Sequence, residues 1–259
     1  MGKIRAVLFD FDGTVSTLRA GWESIMAPFM KEEIVGSHLL SAAEEEQLDR
    51  DIAAYIDQST GIQTIYQMQW LAEKVRASGW NEEVKDEWTY KAIYNSRLLE
   101  QVKKRVDLLA SGQSAAEDYL IQGAADFIRT LYLRGLELYV ASGTDHPDVV
   151  REAEVLGVAE YFRAIAGAPV GKADCSKEKV LRELMHVKGL AGHELAVIGD
   201  GKVEIQLAKE AGSLAFGLAS DEVSRTGIDP IKKQRLLAAG ADWIAGDFLN
   251  TEEWLERLG

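Results

Sequence analysis

Lys3-Ile-Arg-Ala-Val-Leu-Phe-Asp-Phe-Asp-Gly-Thr14 is the stretch on which the reading of this chain turns. Ile4 to Phe9 is an apolar run of the length of a buried strand, and it stops abruptly at two carboxylates one residue apart, Asp10 and Asp12. Gly13 lets the backbone turn sharply straight after them. Side chains at i and i+2 of a strand leave on one side, so the two acids set out facing the same way. Two anions that close repel unless a proton or a metal stands between them. A hard divalent cation such as Mg²⁺ takes oxygen ligands of this kind. Taken alone, Asp-x-Asp-Gly is more often a plain turn after a strand; three further motifs shift that balance.

Outward from this stretch, the chain has two textures. Residues 17–117 carry helical signals throughout: Trp22, Ile25, Met26 and Phe29 at helical spacing, a capping-box pattern at Ser41-x-x-Glu44 followed by Leu48, Ile52 and Tyr55 on one face, and a stretch from Ile62 to Ala77 that carries Ile65, Met68, Leu71, Ala72 and Val75. Asn81 is the expected N-cap of a long helix running to about Ala110. Four or five helices are expected here, with Trp22, Trp70, Trp80 and Trp88 mainly as packing residues. From 118 on, apolar strands alternate with helices: a helix over 118–134, strands at 136–141 and 195–198, a short one within 161–166, and others at 214–218 and 243–244. Such alternation predicts βαβ units and a parallel sheet covered on both faces, with ligands at the carboxyl ends of the strands. The fold class expected is α/β: a Rossmann-like parallel sheet from residues 1–16 and 118–259, interrupted by an all-α insert.

The second motif is Leu136-Glu-Leu-Tyr-Val-Ala-Ser-Gly-Thr-Asp145, a strand ending in a hydroxyl, Ser142, followed by Gly143. A hydroxyl and backbone N–H groups at a strand-to-helix junction can hold phosphate oxygens; the plainer alternative is a helix cap. The third is a lysine at a helix start, with Lys177, Lys172 and Lys179 as the candidates. A cation there would neutralise charge that shifts during phosphoryl transfer. The fourth is Leu195-Ala-Val-Ile-Gly-Asp-Gly-Lys-Val-Glu204, another apolar strand ending in Gly-Asp-Gly, with Glu204 four residues after Asp200. On a turn opening into a helix, those two acids can point toward one site.

These four motifs, in this order, resemble the haloacid dehalogenase-like superfamily, and the resemblance covers the whole chain. It implies that Asp10 is a nucleophile taking up a phosphoryl group. Asp12 would be the general acid and base, lending its carbonyl to Mg²⁺. Asp200 would ligate the metal, with Glu204 in support. The distance of Lys177 from Asp200, and its Lys-x-x-apolar-apolar pattern, resemble the lysine of phosphoserine-phosphatase-like members; Lys172 remains the alternative. The family often has Asn where Gly143 stands, which leaves that contact to the backbone. The insert falls where the family places a helical cap of the C1 type, which closes over the site and sets substrate choice. Arg19 and Trp22, at its entrance, are the candidate substrate contacts, with a hinge salt bridge as the alternative for Arg19.

The activity implied is a Mg²⁺-dependent phosphatase acting on a small phosphate monoester, a sugar phosphate or a similar metabolite. A phosphomutase of the β-phosphoglucomutase type uses the same motifs, and a non-catalytic phospho-ligand-binding protein is a third reading. The chain has 259 residues and a net charge of −13, which argues against nucleic acid and anionic membranes as partners. A phosphorylated small molecule is still compatible, because a metal and lysines reverse the field locally. Cys175 is the only cysteine; it is read as a spectator, and its isolation points to a reducing compartment. With no signal-peptide pattern and no apolar run approaching ~18 residues, a cytoplasmic monomer or homodimer is expected.

Overall fold

The computed structural model describes residues 4–173 and 176–259; Cys175, with the role read for it, lies outside the described residues. The chain divides into two compact units, Met1–Ala20 with Arg105–Gly259, and Gly21–Lys104. The second is narrower at each end than the 17–117 insert drawn from sequence. Part of the reason is Arg105, whose guanidinium donates to the carbonyls of Leu18 at 2.7 Å and Ala20 at 3.1 Å.

The Gly21–Lys104 unit is helical. It holds α1 (Glu23–Val35), α2 (Ala42–Ser59), α3 (Thr64–Ser78) and most of α4 (Glu87–Ala110). Ser41 and Glu44 form the capping box at the start of α2. Asn81 does not cap α4. It donates to the Glu33 carbonyl at 2.7 Å and accepts from Glu83 N–H, while Asp86 takes the N–H groups of Trp88 and Thr89 at the helix start. A free Asp side chain directly before the first turn satisfies donors that Asn81, five residues upstream, cannot reach. Phe29, Met30, Ile34, Leu71 and Tyr90 are buried together in this unit's core. Trp70 stacks on Tyr55 and Trp80 on His38, with ring centroids 4.0 and 5.3 Å apart.

The other unit is built on β1 (Ala6–Phe9). After the insert come α5 (Ala124–Leu133), β2 (Glu137–Asp145), α6 (His146–Val155), β3 (Ala164–Ala168), α7 (Ser176–His186), β4 (Leu195–Gly199) and α8 (Lys202–Glu210). The chain ends with β5 (Leu214–Leu218), β6 (Ser220–Asp221), β7 (Thr226–Ile228), α9 (Pro230–Ala238), β8 (Trp243–Ala245) and α10 (Thr251–Leu258). Six strands form one sheet in the order β3-β2-β1-β4-β5-β8, with every pairing parallel. β6 and β7 form a separate antiparallel hairpin. All residues of β1 and β4 are buried, as expected for central parallel strands covered on both faces. Among the described residues no helix is long and apolar enough to cross a membrane.

Two departures from the sequence reading bear on the site. The helix expected from 118 starts only at Ala124, because Gly123 sits at φ +78° against the Phe248 backbone, where a Cβ would come within 2.6 Å. Only glycine fits such a position without strain. The hairpin and α9 are absent from the sequence reading altogether, and α9 carries a residue of the site.

The chain order of the strands turns at β1. From it the sheet grows through β2 and β3 on one side and through β4, β5 and β8 on the other. Phe9 lies level with Val140 on β2 and with Ile198 on β4. Residues just past these positions therefore emerge together, at the place where open parallel sheets bind ligands.

Candidate active site

Asp10 is the first residue past β1, held there by its N–H donating to the Ile198 carbonyl at 2.9 Å. Asp200 follows β4 by one residue, and Glu204 lies in the first turn of α8. Asp10, Asp200 and Glu204 are all buried, and each offers an oxygen within 4.8 Å of the others. Lys177, in the first turn of α7, reaches across with its ammonium 3.1 Å from Asp10 Oδ2 and 3.0 Å from Glu204 Oε2. Lys172 and Lys179 are exposed, so the buried lysine among the three candidates is Lys177.

Gly13 makes the close approach of these motifs feasible. Its φ is +73°, and a Cβ there would lie 2.3 Å from Asp200 Oδ2. The Asp200 carboxylate thus packs directly on the backbone of the Asp-x-Asp-Gly turn. The Gly13 N–H donates to the Ser16 carbonyl at 2.8 Å.

Asp12 faces β2. Its Oδ2 accepts from the Ser142 hydroxyl at 3.2 Å and the Thr144 hydroxyl at 2.8 Å, and Thr144 N–H in turn donates to Ser142 Oγ at 3.0 Å. Ser142 and Thr144 are two apart on an extended strand and so share a side; that spacing was visible in the sequence, but Thr144 was passed over. Gly143 lies between them, half-buried. The other oxygen of Asp12, Oδ1, is buried without a hydrogen bond among the described residues, 3.9 Å from Arg19 Nε. Arg19 itself is clamped on α6, donating to Glu152 at 2.6 and 3.1 Å and to Asp148 at 3.4 Å. Trp22 stands at the start of α1, half-buried.

A further cation, Lys232 on α9, has no counterpart in the sequence reading. Its ammonium lies 2.9 Å from Asp200 Oδ2 and 2.6 Å from Glu222 Oε1 on the β6–β7 hairpin. A cap signal, Asp229-Pro230, stood directly before it in the sequence; Asp229 does cap α9, accepting from Lys232 N–H at 2.8 Å.

Charge in this cluster is unbalanced. Burial raises the Asp10 carboxyl well above the usual carboxylate range; Lys177 pulls it down, but Glu204, Asp200 and Asp12 push the same way as burial. Burial works against the Lys177 ammonium, yet Asp10 and Glu204 more than offset this and hold it above the ordinary lysine range. Lys232 is likewise held up, against burial, by Asp200 and Glu222. A carboxyl raised in this way among three further acids lies in a site short of positive charge. A hard divalent cation with oxygen ligands supplies that charge, and the donor set here, the carboxylate oxygens of Asp10, Asp200 and Glu204, fits Mg²⁺. Further along, burial lifts the Glu152 carboxyl to about 7, with Arg19 pulling it only part of the way back.

A parallel α/β sheet with acids at the ends of two adjacent central strands, a buried lysine beside the first and a hydroxyl on the next strand, defines a class of hydrolase. The family model for haloacid dehalogenase-like hydrolases matches residues 4–212, and the chain belongs to that family. Among its relatives, the phosphoglycolate phosphatase of Escherichia coli O157:H7 is 25% identical over 219 residues, spanning 83% of this chain and 81% of that one. The phosphoglycolate phosphatase of Shigella boydii serotype 4 is 23% identical over 218 residues, with the same shares covered. Solved structures with the same fold include a predicted phosphoglycolate phosphatase from Haemophilus somnus (TM-score 0.65, 16% identity, 98% of this chain and 99% of that one). Another is a β-phosphoglucomutase from Clostridium difficile (TM-score 0.62, 14% identity, 98% and 97%).

Proposed function

We propose that this hydrolase is a Mg²⁺-dependent phosphatase that acts on a small phosphate monoester through an aspartyl-phosphate on Asp10. The observation that carries the reading is the buried meeting of Asp10 with Asp200, Glu204 and Lys177. An Asp10 oxygen forms a bond to phosphorus as the ester oxygen leaves with the bonding pair, and Asp12 gives that oxygen its proton. Asp12 then takes a proton from water as the water oxygen attacks phosphorus and the Asp10–phosphorus bond breaks, which returns Asp10 as a carboxylate. Lys177 neutralises charge on the transferring group. The Ser142 and Thr144 hydroxyls fix the Asp12 carboxylate, and the N–H groups of residues 11 and 12 face the phosphate oxygens. Asp10, the Asp12 carbonyl and Asp200, with Glu204 behind them, would hold Mg²⁺, whose charge would offset the repulsion between the Asp10 carboxylate and the phosphate.

We assign Arg19 to the ion pair with Glu152 and Asp148, from which it steadies Asp12, and leave Trp22 as the candidate for the far end of the substrate. The names of the relatives make phosphoglycolate the first ester to try. Likeness to a phosphomutase is a likeness of fold alone and does not favour that reading. A single cysteine suits a reducing compartment such as the cytoplasm. The experiment is phosphate release from p-nitrophenyl phosphate and phosphoglycolate, with Mg²⁺ and after chelation. Release that requires Mg²⁺ and returns on its re-addition is expected. Undiminished release from exhaustively chelated protein would overturn the metal-dependent reading.

A further inference from the structure

Lys232 places a second ammonium, half-buried, beside a carboxylate to which the reading above gives a metal. We propose that it sets the affinity of the site for divalent ions, as a built-in cation that a bound metal must work against. The inference rests on the Mg²⁺ reading and goes beyond it.

Asp200 does not need Lys232 to be held in place. Its carboxylate packs on the Gly13 backbone, its carbonyl accepts from Arg235 at 3.3 Å, and it directly follows the fully buried β4. What Lys232 adds is charge. Its side chain is 13% exposed, and its ammonium stands 2.9 Å from Asp200 Oδ2. It is also anchored. α9 begins at the Asp229 cap with Pro230 in its first turn, and Glu222 grips the ammonium at 2.6 Å from the hairpin. In the metal-free protein this charge offsets part of the repulsion among Asp10, Asp200 and Glu204. With a divalent ion on Asp200, the same charge repels the ion across a few ångströms of poorly solvated space. Lys232 therefore stabilises the empty site and weakens the filled one. Glu222 moderates it by drawing the ammonium toward the hairpin.

The test is the rise in thermal unfolding midpoint as Mg²⁺ is added, read as the Mg²⁺ concentration above which the midpoint climbs with the logarithm of added metal, the apparent Kd. Lys232→Gln should lower that concentration by about threefold to tenfold, and should also lower the midpoint in the absence of metal. Lys232→Arg keeps the charge and should stay within about twofold of the wild type. Glu222→Gln removes the moderating carboxylate and should raise the concentration; this arm carries the test if Lys232→Gln does not fold. An unchanged or raised concentration in Lys232→Gln, or a lowered one in Glu222→Gln, would overturn the proposal. A wild type that Mg²⁺ fails to stabilise at any concentration would instead overturn the metal reading, and this one with it.

Discussion

Asp10→Asn should lower phosphate release by on the order of 10⁴-fold or more, since it removes the attacking oxygen of the proposed reaction. The same change should not destabilise the metal-free protein. The folded-state pKa of Asp10 is raised by burial and by the neighbouring acids. A group shifted upward stabilises the fold below its ordinary pKa and loses that contribution as pH rises through the folded value. Above that value the wild type carries an ionised carboxylate in a site short of positive charge; the variant carries a neutral amide. Urea denaturation without metal should find the variant at least as stable as the wild type near pH 8. The margin should shrink as the pH falls through the folded value and be smallest well below the ordinary value of 3.8, where Asp10 is protonated in both states. Retained activity would remove Asp10 from the mechanism, and a margin independent of pH would contradict the electrostatic account.

Lys177→Met should fail in the opposite way, losing stability and activity together. The ammonium lies between Asp10 and Glu204, within 3.1 Å of each, with its residue only 4% exposed. Taking it away leaves two buried carboxylates facing each other. Breaking a buried ion pair by removing one partner costs about 3–5 kcal/mol, a large fraction of the stability of an ordinary domain. Loss of the cation that the proposed reaction sets against the transferring group should lower the rate by about 10²–10³-fold. Acidification should restore part of the stability by protonating the two acids, which a mere packing defect would not show. Thermal unfolding at several pH values together with steady-state rates checks both halves. A variant as stable as the wild type at neutral pH would mean that Lys177 is not the counter-ion of this cluster.

Much of this arrangement was legible in the chain because strand ends announce themselves. β1 and β4 are apolar runs that stop at acids, and in a parallel sheet such ends converge, so Asp10 and Asp200 could be placed together before any coordinates. Lys177 was legible as a helix-start residue ahead of Val180, Leu181 and Leu184. Lys232 was not, for a physical reason: α9 is nine residues long and buries one of them, Leu236, so it carries almost no apolar periodicity. The α5 boundary failed for a different reason. Gly123 breaks the helix because of Phe248, 125 residues further on, and a contact of that range leaves no local mark. The partners of Arg19 were hidden likewise, since Asp148 and Glu152 belong to a helix more than a hundred residues away.

The central claim is that phosphorus is passed to Asp10 and released with the help of Asp12. p-Nitrophenolate is a good leaving group and departs without a proton, so Asp12→Asn should still be phosphorylated by p-nitrophenyl phosphate but should lack the base that frees it. Mixed with this ester and Mg²⁺, the variant should release a burst of roughly one equivalent of p-nitrophenol per chain. Borohydride reduction of the quenched protein should then convert residue 10, and no other, to homoserine, the mark of a reduced aspartyl-phosphate. Linear release without a burst, and an aspartate at position 10 untouched by borohydride, would contradict the account.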